Sequence, residues 1–369
     1  MFNIFNLQSL EEFSEIAEKN STIDQEEYDK YDVKRGLRNN NGTGVLVGLT
    51  KIGNVEGYEV VNNERKPVPG TLSYRGIDLN EIVEGFQKEN RLGFEEVCYL
   101  LLLGKLPNSS QLEAFKYMLK NSRNLPNGFT EDMILKAPSK DIMNKLQRSI
   151  LVLYSYDTNP DDNSVKNVLR QSIELIARIP CMIAYGYQAK SHYYDKQSLH
   201  IHIPRPELST AENILYMIRP DNKFTKSEAA ILDLALVIHA EHGGGNNSTF
   251  TTHVVSSAGT DTYSAISAAV GSLKGTKHGG ANIKVMAMMK NIKENVSNWE
   301  DKEEIESYLR KILDKKAFDK SGLIYGMGHA VYTISDPRAV LLKKQAFKLA
   351  EEKGRIDEFN IYKNVEEVT

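Results

Sequence analysis

Cysteine is scarce. Cys98 and Cys181 are the only two in 369 residues, which excludes a disulfide framework and points to a reducing compartment. Long apolar runs are also missing, and no stretch approaches the roughly 20 residues needed to cross a bilayer. Excess charge of either sign is absent: 46 Lys and Arg stand against 49 Asp and Glu, for a net charge of -3. That balance, with no long basic run, excludes the footprint of a nucleic-acid-binding protein. The start, Met1-Phe2-Asn3-Ile4, lacks the cationic head and unbroken apolar core of a secretory signal, and Glu11, Glu12 and Glu15 argue against an organelle transit peptide. A cytoplasmic protein of bacterial type, with no membrane partner, is expected.

Apolar residues (41%) and charged residues (26%) occur in the proportions of an ordinary globular protein. The length allows a large core and two unequal domains. Apolar residues recur at helical spacing over Phe94–Leu103, Gln111–Leu119, Asp141–Tyr154, Val165–Ile176, Ser227–His242, Thr262–Leu273 and Ala281–Ile292. Asp336-Pro337 supplies an N-cap and a first-turn proline for a helix running to about Lys353, where Gly354 ends it. Strand signals are confined to Gly44–Leu49 and Val55–Val61, read as a small hairpin. Ser191–Pro206, where His200 and His202 alternate with isoleucine, reads as loop or short extended structure, and the charged run Lys290–Lys316 as solvated helix and linker. The expectation is a mainly helical, two-domain fold with a small N-terminal β-hairpin region.

Four histidines lie in three short glycine-bearing segments: His239-Ala240-Glu241-His242-Gly243-Gly244-Gly245-Asn246, Lys277-His278-Gly279-Gly280-Ala281-Asn282, and Gly326-Met327-Gly328-His329-Ala330-Val331. Glycine beside histidine removes bulk and frees the backbone, so an imidazole can approach a small ligand. His239 and His242 share a face if the helix continues through both; His239 reads as a core histidine and His242, before three glycines, as the one that meets a ligand. A metal site using His253 or His278 as a further ligand is the sharper alternative, but His-Glu-x-x-His is absent and no ligand spacing appears. His278 precedes a helix start, which favours the neutral ring. Gly279-Gly280 reads as turn chemistry or as a hinge between domains. Arg338 begins a helix, where a cation gains nothing from the helix dipole, so a carboxylate ligand or Asp336 must explain it.

Together these segments resemble the citrate synthase family. The same order and near spacing hold for Pro69-Gly70-Thr71-Leu72-Ser73-Tyr74-Arg75-Gly76-Ile77-Asp78, for Phe94-Glu95-Glu96-Val97-Cys98-Tyr99, and for Asp336-Pro337-Arg338, so the resemblance covers the chain from about Leu37 onward. It implies a large helical domain over 1–278, a smaller mobile domain over 279–369, and a homodimer or an assembly of dimers. The implied reaction condenses acetyl-CoA, as co-substrate, with oxaloacetate and hydrolyses the thioester to citrate and CoA, without metal or prosthetic group. By the resemblance, His278 and His329 are the catalytic residues. His278 stabilises the enol of acetyl-CoA, and His329 polarises and protonates the ketone of oxaloacetate. His242 and Arg338 bind oxaloacetate with support from Asn246, and Gly326, Met327 and Gly328 lie against CoA.

One departure accompanies the match. The family's general-base aspartate follows the Asp-Pro-Arg helix at a distance, whereas this sequence reaches Glu366-Glu367-Val368-Thr369 with only Asp357, Glu366 and Glu367 as late carboxylates. The expectation is therefore a C-terminally truncated enzyme, its small domain incomplete, with little or no activity, since a missing base costs about 10²–10⁴-fold. A 2-methylcitrate synthase using propionyl-CoA and a non-catalytic oxaloacetate-binding protein are the alternatives.

Overall fold

The structure, a computed structural model, describes residues 24–30, 50–61, 64–328 and 331–369. The chain divides into two compact units, Met1–Gly48 and Leu49–Thr369. In the first, the described residues form α1, Gln25–Lys30. The expected strand at Gly44–Leu49 lies outside the described residues.

The second unit begins with a three-stranded antiparallel sheet in the order β1 (Gly53–Val61), β2 (Glu64–Tyr74) and β3 (Ile77–Asp78). A hairpin was expected here, but its second strand escaped the sequence reading because Pro67 and Pro69 lie inside it. The structure tolerates both prolines because β3 pairs with β2 only at Ser73 and Tyr74, leaving the proline stretch with β1 as its neighbour. The register slips between Glu56 and Tyr58, and Gly57 sits in that irregularity. A Cβ there would lie 2.6 Å from the carbonyl oxygen of Val331, and a Cβ on Gly70 would lie 2.2 Å from that of Ser335. Gly70 N–H also donates to the Ser335 carbonyl at 3.2 Å. The hairpin thus touches the 331–335 loop backbone to backbone, which only glycine permits.

Helices follow: α2 (Leu79–Lys88), α3 (Phe94–Leu103), α4 (Ser109–Ser122), α5 (Ile142–Leu153), α6 (Val165–Asp195), α7 (Thr210–Ile218), α8 (Lys226–Ile238), α9 (Asn247–Ser256), α10 (Thr262–Leu273), α11 (Ala281–Asn295), α12 (Lys302–Leu313), α13 (Pro337–Glu352) and α14 (Ile356–Val368). Among the described residues, no helix is long and apolar enough to cross a membrane. α6 runs well past Ile176, where the expected helical pattern ended, and through Pro180, although an interior proline costs about 3 kcal/mol. Packing offsets that cost: Leu175, Met182 and Tyr185 enter one core and Ile173 and Ala177 another. α8 stops at Ile238, four residues before His242. A third core joins Leu72, Tyr74 and Leu79 to Val97, Leu234 and Val237. The run Lys290–Lys316, expected as solvated helix and linker, instead contributes Ile292, Ile305, Leu309 and Ile312 to a core with Ile361 and Val365 of α14.

Buried carboxylates fasten helix starts. Gly93, at the N-cap of α3, has no side chain to cap with, and Asp233 of α8 accepts from the N–H groups of Gly93 (2.7 Å) and Phe94 (3.2 Å) instead. Glu95 of α3 accepts in turn from Thr210 N–H at 2.7 Å, at the start of α7. Burial outweighs these bonds at Asp233 and, with the nearby charge of Glu95, pushes its carboxyl up from 3.8 to about 7.

Two predictions follow from this packing. Gly70→Ala forces the hairpin off the 331–335 loop and lowers stability by about 1–3 kcal/mol, whereas Gly85→Ala, in α2 with nothing within 4 Å of the new Cβ, stabilises by up to about 1 kcal/mol; urea unfolding of the two variants distinguishes them. Because Asp233 binds its proton more tightly folded than unfolded, its contribution is present below 3.8 and is lost as pH rises through about 7. The difference in unfolding midpoint between wild type and Asp233→Asn therefore shrinks across that window, and a constant difference contradicts the assignment.

Candidate active site

His278 lies in the turn between α10 and α11. That turn closes tightly: Gly280 N–H donates to the carbonyls of Leu273 (3.2 Å) and Gly275 (3.1 Å). A Cβ on Gly280 would lie 2.4 Å from the Lys274 oxygen, and one on Gly279 2.9 Å from that of Leu273. The glycine pair is therefore turn chemistry that packs the His278 loop onto the end of α10. His278 Nε2 meets Ser248 Oγ at 2.8 Å, and among the described residues Nδ1 makes no hydrogen bond. Partial burial holds the ring below its ordinary 6.5. Desolvation therefore keeps it neutral, without need of the helix dipole invoked from sequence.

Ser248 stands in the first turn of α9, whose N-cap is Asn246. The Asn246 side chain accepts from the N–H groups of Ser248 (2.9 Å) and Thr249 (3.4 Å). Asn246, expected at the substrate, thus spends its carbonyl oxygen on capping the helix that carries Ser248. Sequence reasoning missed Ser248, although its place two residues after a helix-capping asparagine is a readable signal.

His242 occupies the irregular segment after α8. The helix ends with His239 as its cap, so the two histidines do not share a helical face. His239, expected in the core, is exposed, with Nδ1 against the Ala235 carbonyl at 2.7 Å. Gly243 adopts φ +78°, and a Cβ there would approach Val55 of β1 at 3.1 Å. The hairpin therefore lies under the His242 segment as well as under the 331–335 loop.

Tyr332 joins the two. Its ring stands edge-on to His242 with centroids 5.6 Å apart, and the Arg338 guanidinium lies 5.9 Å from its centroid. The phenol donates to the Thr71 carbonyl at 3.0 Å. Burial, then the charge of Asp336, pushes it up to about 12, with Arg338 opposing, so it remains a neutral donor. Arg338 forms a two-point pair with Asp336, Nε to Oδ1 at 3.0 Å and Nη2 to Oδ2 at 2.6 Å. Both side chains are largely buried, at 19% and 23% exposure, so this is no loose surface contact. Nη1 is uncommitted among the described residues and is free to take a ligand carboxylate.

Gly326 and Gly328 adopt φ +88° and +77° around Met327, which packs against the α11–α12–α14 core. A Cβ on Gly328 would meet nothing within 4 Å among the described residues, which leaves this backbone open on the side they form. His329 lies outside the described residues. Among those described, no three His, Cys, Asp or Glu side chains group to hold a metal ion. The structure thus brings His278 to Ser248, and His242 to Arg338 through Tyr332.

Residues 39–369 match the family model described as "Citrate synthase, C-terminal domain". The citrate synthase of Synechocystis sp. is 30% identical over 325 residues, covering 88% of this chain and 73% of the relative. The 2-methylcitrate synthase of Shewanella oneidensis is 30% identical over 286 residues, covering 77% and 68%. The crystal structure of citrate synthase from Pyrobaculum aerophilum superposes with a TM-score of 0.70 at 27% identity, covering 88% of this chain and 74% of that one.

The His278 environment predicts a titration midpoint below 6.5 by NMR, with loss of any linked stability as pH falls through that midpoint. Ser248→Ala is expected to release the ring from a single tautomer, seen in its nitrogen shifts, and to lower turnover about tenfold or more. An unchanged tautomer would remove Ser248 from the site.

Proposed function

The chain belongs to the citrate synthase family of condensing enzymes, and we propose that it joins acetyl-CoA to oxaloacetate and hydrolyses the resulting thioester to citrate and CoA. The observation that carries this reading is His278, with Nε2 held by Ser248, Nδ1 open among the described residues, and burial favouring the neutral ring. If the Ser248 hydroxyl donates to Nε2, the ring proton sits on Nδ1 and points to a thioester carbonyl. A neutral imidazole there stabilises the enol without carrying a charge of its own. The enol carbon then attacks the ketone of oxaloacetate, whose oxygen takes a proton from His329 by the family resemblance. Water finally cleaves the carbon–sulfur bond. Acetyl-CoA enters as co-substrate, and no prosthetic group takes part.

Oxaloacetate is assigned to His242 and Arg338, with Tyr332 fixing the space between them and Asn246 acting through Ser248. Gly326, Met327 and Gly328 are assigned to CoA, which suits their open backbone. As the enol forms, the methyl proton passes to a carboxylate base, by the family resemblance an aspartate beyond the Asp-Pro-Arg helix, and none of the late carboxylates is assigned that role. Glu366 pairs with Lys343 (2.7 Å) and Glu367 with Lys302 (2.8 Å), while Asp357 is exposed on α14. The division near residue 278 belongs to the same proposal, supported by the core that α11, α12 and α14 build together. The reading includes a cytoplasmic homodimer.

The Shewanella relative keeps 2-methylcitrate synthesis as a second reading, because one methylene in a pocket is worth only about 1–3 kcal/mol. Thiol release from acetyl-CoA and from propionyl-CoA, each with oxaloacetate, separates the two. Faster release with acetyl-CoA supports the proposal, and preference for propionyl-CoA overturns it in favour of the second reading. His278→Ala should lower kcat by about 10²–10⁴-fold, whereas Glu366→Gln and Glu367→Gln should leave it within about twofold.

A further inference from the structure

A cavity of about 480 Å³ opens where the end of α4 meets the segment before α7, and none of its lining residues belongs to the histidine segments. Three cations line it: Lys120, Arg123 and Arg205, with Tyr216 of α7. Arg123 is only 8% exposed, an expensive position for a guanidinium. Its Nη1 donates to the carbonyls of Arg205 (3.0 Å) and Leu208 (2.7 Å), while Nε and Nη2 make no hydrogen bond among the described residues. The carboxylates in electrostatic reach of it are spent elsewhere: Glu95 accepts from Thr210 N–H at 2.7 Å, and Glu212 from Ser209 N–H at 2.8 Å. Arg205 lies 5.5 Å over the Tyr216 ring and donates through Nε to its hydroxyl at 3.1 Å. That contact fixes the guanidinium plane, and its terminal nitrogens make no hydrogen bond among the described residues. Glu207 is in electrostatic reach of it, but the two form no ion pair among the described residues. Lys120 forms no ion pair among the described residues either.

Three cations around one opening, one of them nearly buried and half unsatisfied, repel one another unless an anion joins them. We propose that this cavity is a second ligand site, which takes the phosphate oxygens of a small, multiply charged ligand. Arg123 Nη2 and the Arg205 terminal nitrogens are the donors left for such oxygens, and a guanidinium can meet two of them at once. Lys120 adds a third charge at the rim, beyond what one carboxylate requires. The volume exceeds that of a single phosphate, so the shared chemistry fits a free diphosphate or the diphosphate of a nucleotide.

Calorimetric titration of the full chain with inorganic pyrophosphate, at fixed ionic strength, tests the site, and ADP in a parallel arm distinguishes the two sources. One pyrophosphate per chain is expected, weakened about tenfold or more in Lys120→Ala/Arg205→Ala. Both side chains are exposed, so the fold survives their removal. The charge-matched control Lys290→Ala/Arg310→Ala, on α11 and α12, should bind as wild type does, and so should His278→Ala. Tighter binding of ADP than of pyrophosphate would identify the nucleotide source, and weaker binding the free anion. The proposal is overturned by the absence of heat at millimolar pyrophosphate, by undiminished affinity in the Lys120/Arg205 variant, or by equal weakening in the control.

Discussion

Backbone-to-backbone contact between the β1–β2 hairpin and the 331–335 loop is the constraint on which the candidate site rests. Gly57 and Gly70 let two carbonyls approach where any side chain would collide. Through that contact Tyr332 is pressed down until its hydroxyl reaches Thr71, and its ring becomes the wall between His242 and Arg338. The same hairpin receives Gly243 against Val55. Two segments nearly a hundred residues apart in sequence therefore take their positions from one small sheet in a largely helical protein. A sheet is stiffer than a loop, which suits it to fix the positions of the His242 and Arg338 side chains.

The other half of the site is organised by helix ends. Asn246 caps α9 and so aims Ser248 at His278, while Gly279-Gly280 fixes the His278 turn on the end of α10. Unsatisfied N–H groups at helix starts are a structural debt that every helical fold must meet. Here meeting it also places a hydroxyl against the His278 ring. Buried Asp233 and Glu95 do the same for α3 and α7, with no ligand in prospect. Capping alone therefore does not mark a site; an imidazole at the end of the chain of bonds does.

The helices were largely legible because their apolar periodicity is strong: α3 and α10 have the expected bounds, and Asp336-Pro337 starts α13 as its residue types require. β2 was hidden by Pro67 and Pro69, whose cost disappears only when the neighbouring edge is known to be open. The continuation of α6 past Pro180 was hidden likewise, since the burial that outweighs the proline is tertiary. In the candidate site, residue types singled out His242, His278 and Arg338 as expectations, whereas Ser248 and Tyr332 were not singled out. Serine and tyrosine are common on ordinary surfaces and cores, and their roles here arise only from distances of 2.8 Å to His278 and 5.6 Å to the His242 ring. His239 was misplaced because α8 ends before it, and periodicity does not locate a helix end within a turn.

The central claim is a division of labour, with His242, Tyr332 and Arg338 holding oxaloacetate and His278 reserved for the thioester. Calorimetric oxaloacetate binding to Arg338→Ala and His278→Ala tests it without requiring turnover. The account predicts that Arg338→Ala weakens binding by about tenfold or more, the cost of a lost charge-assisted contact, while His278→Ala binds as wild type does. Equal loss in both variants, or undiminished binding in Arg338→Ala, would contradict it.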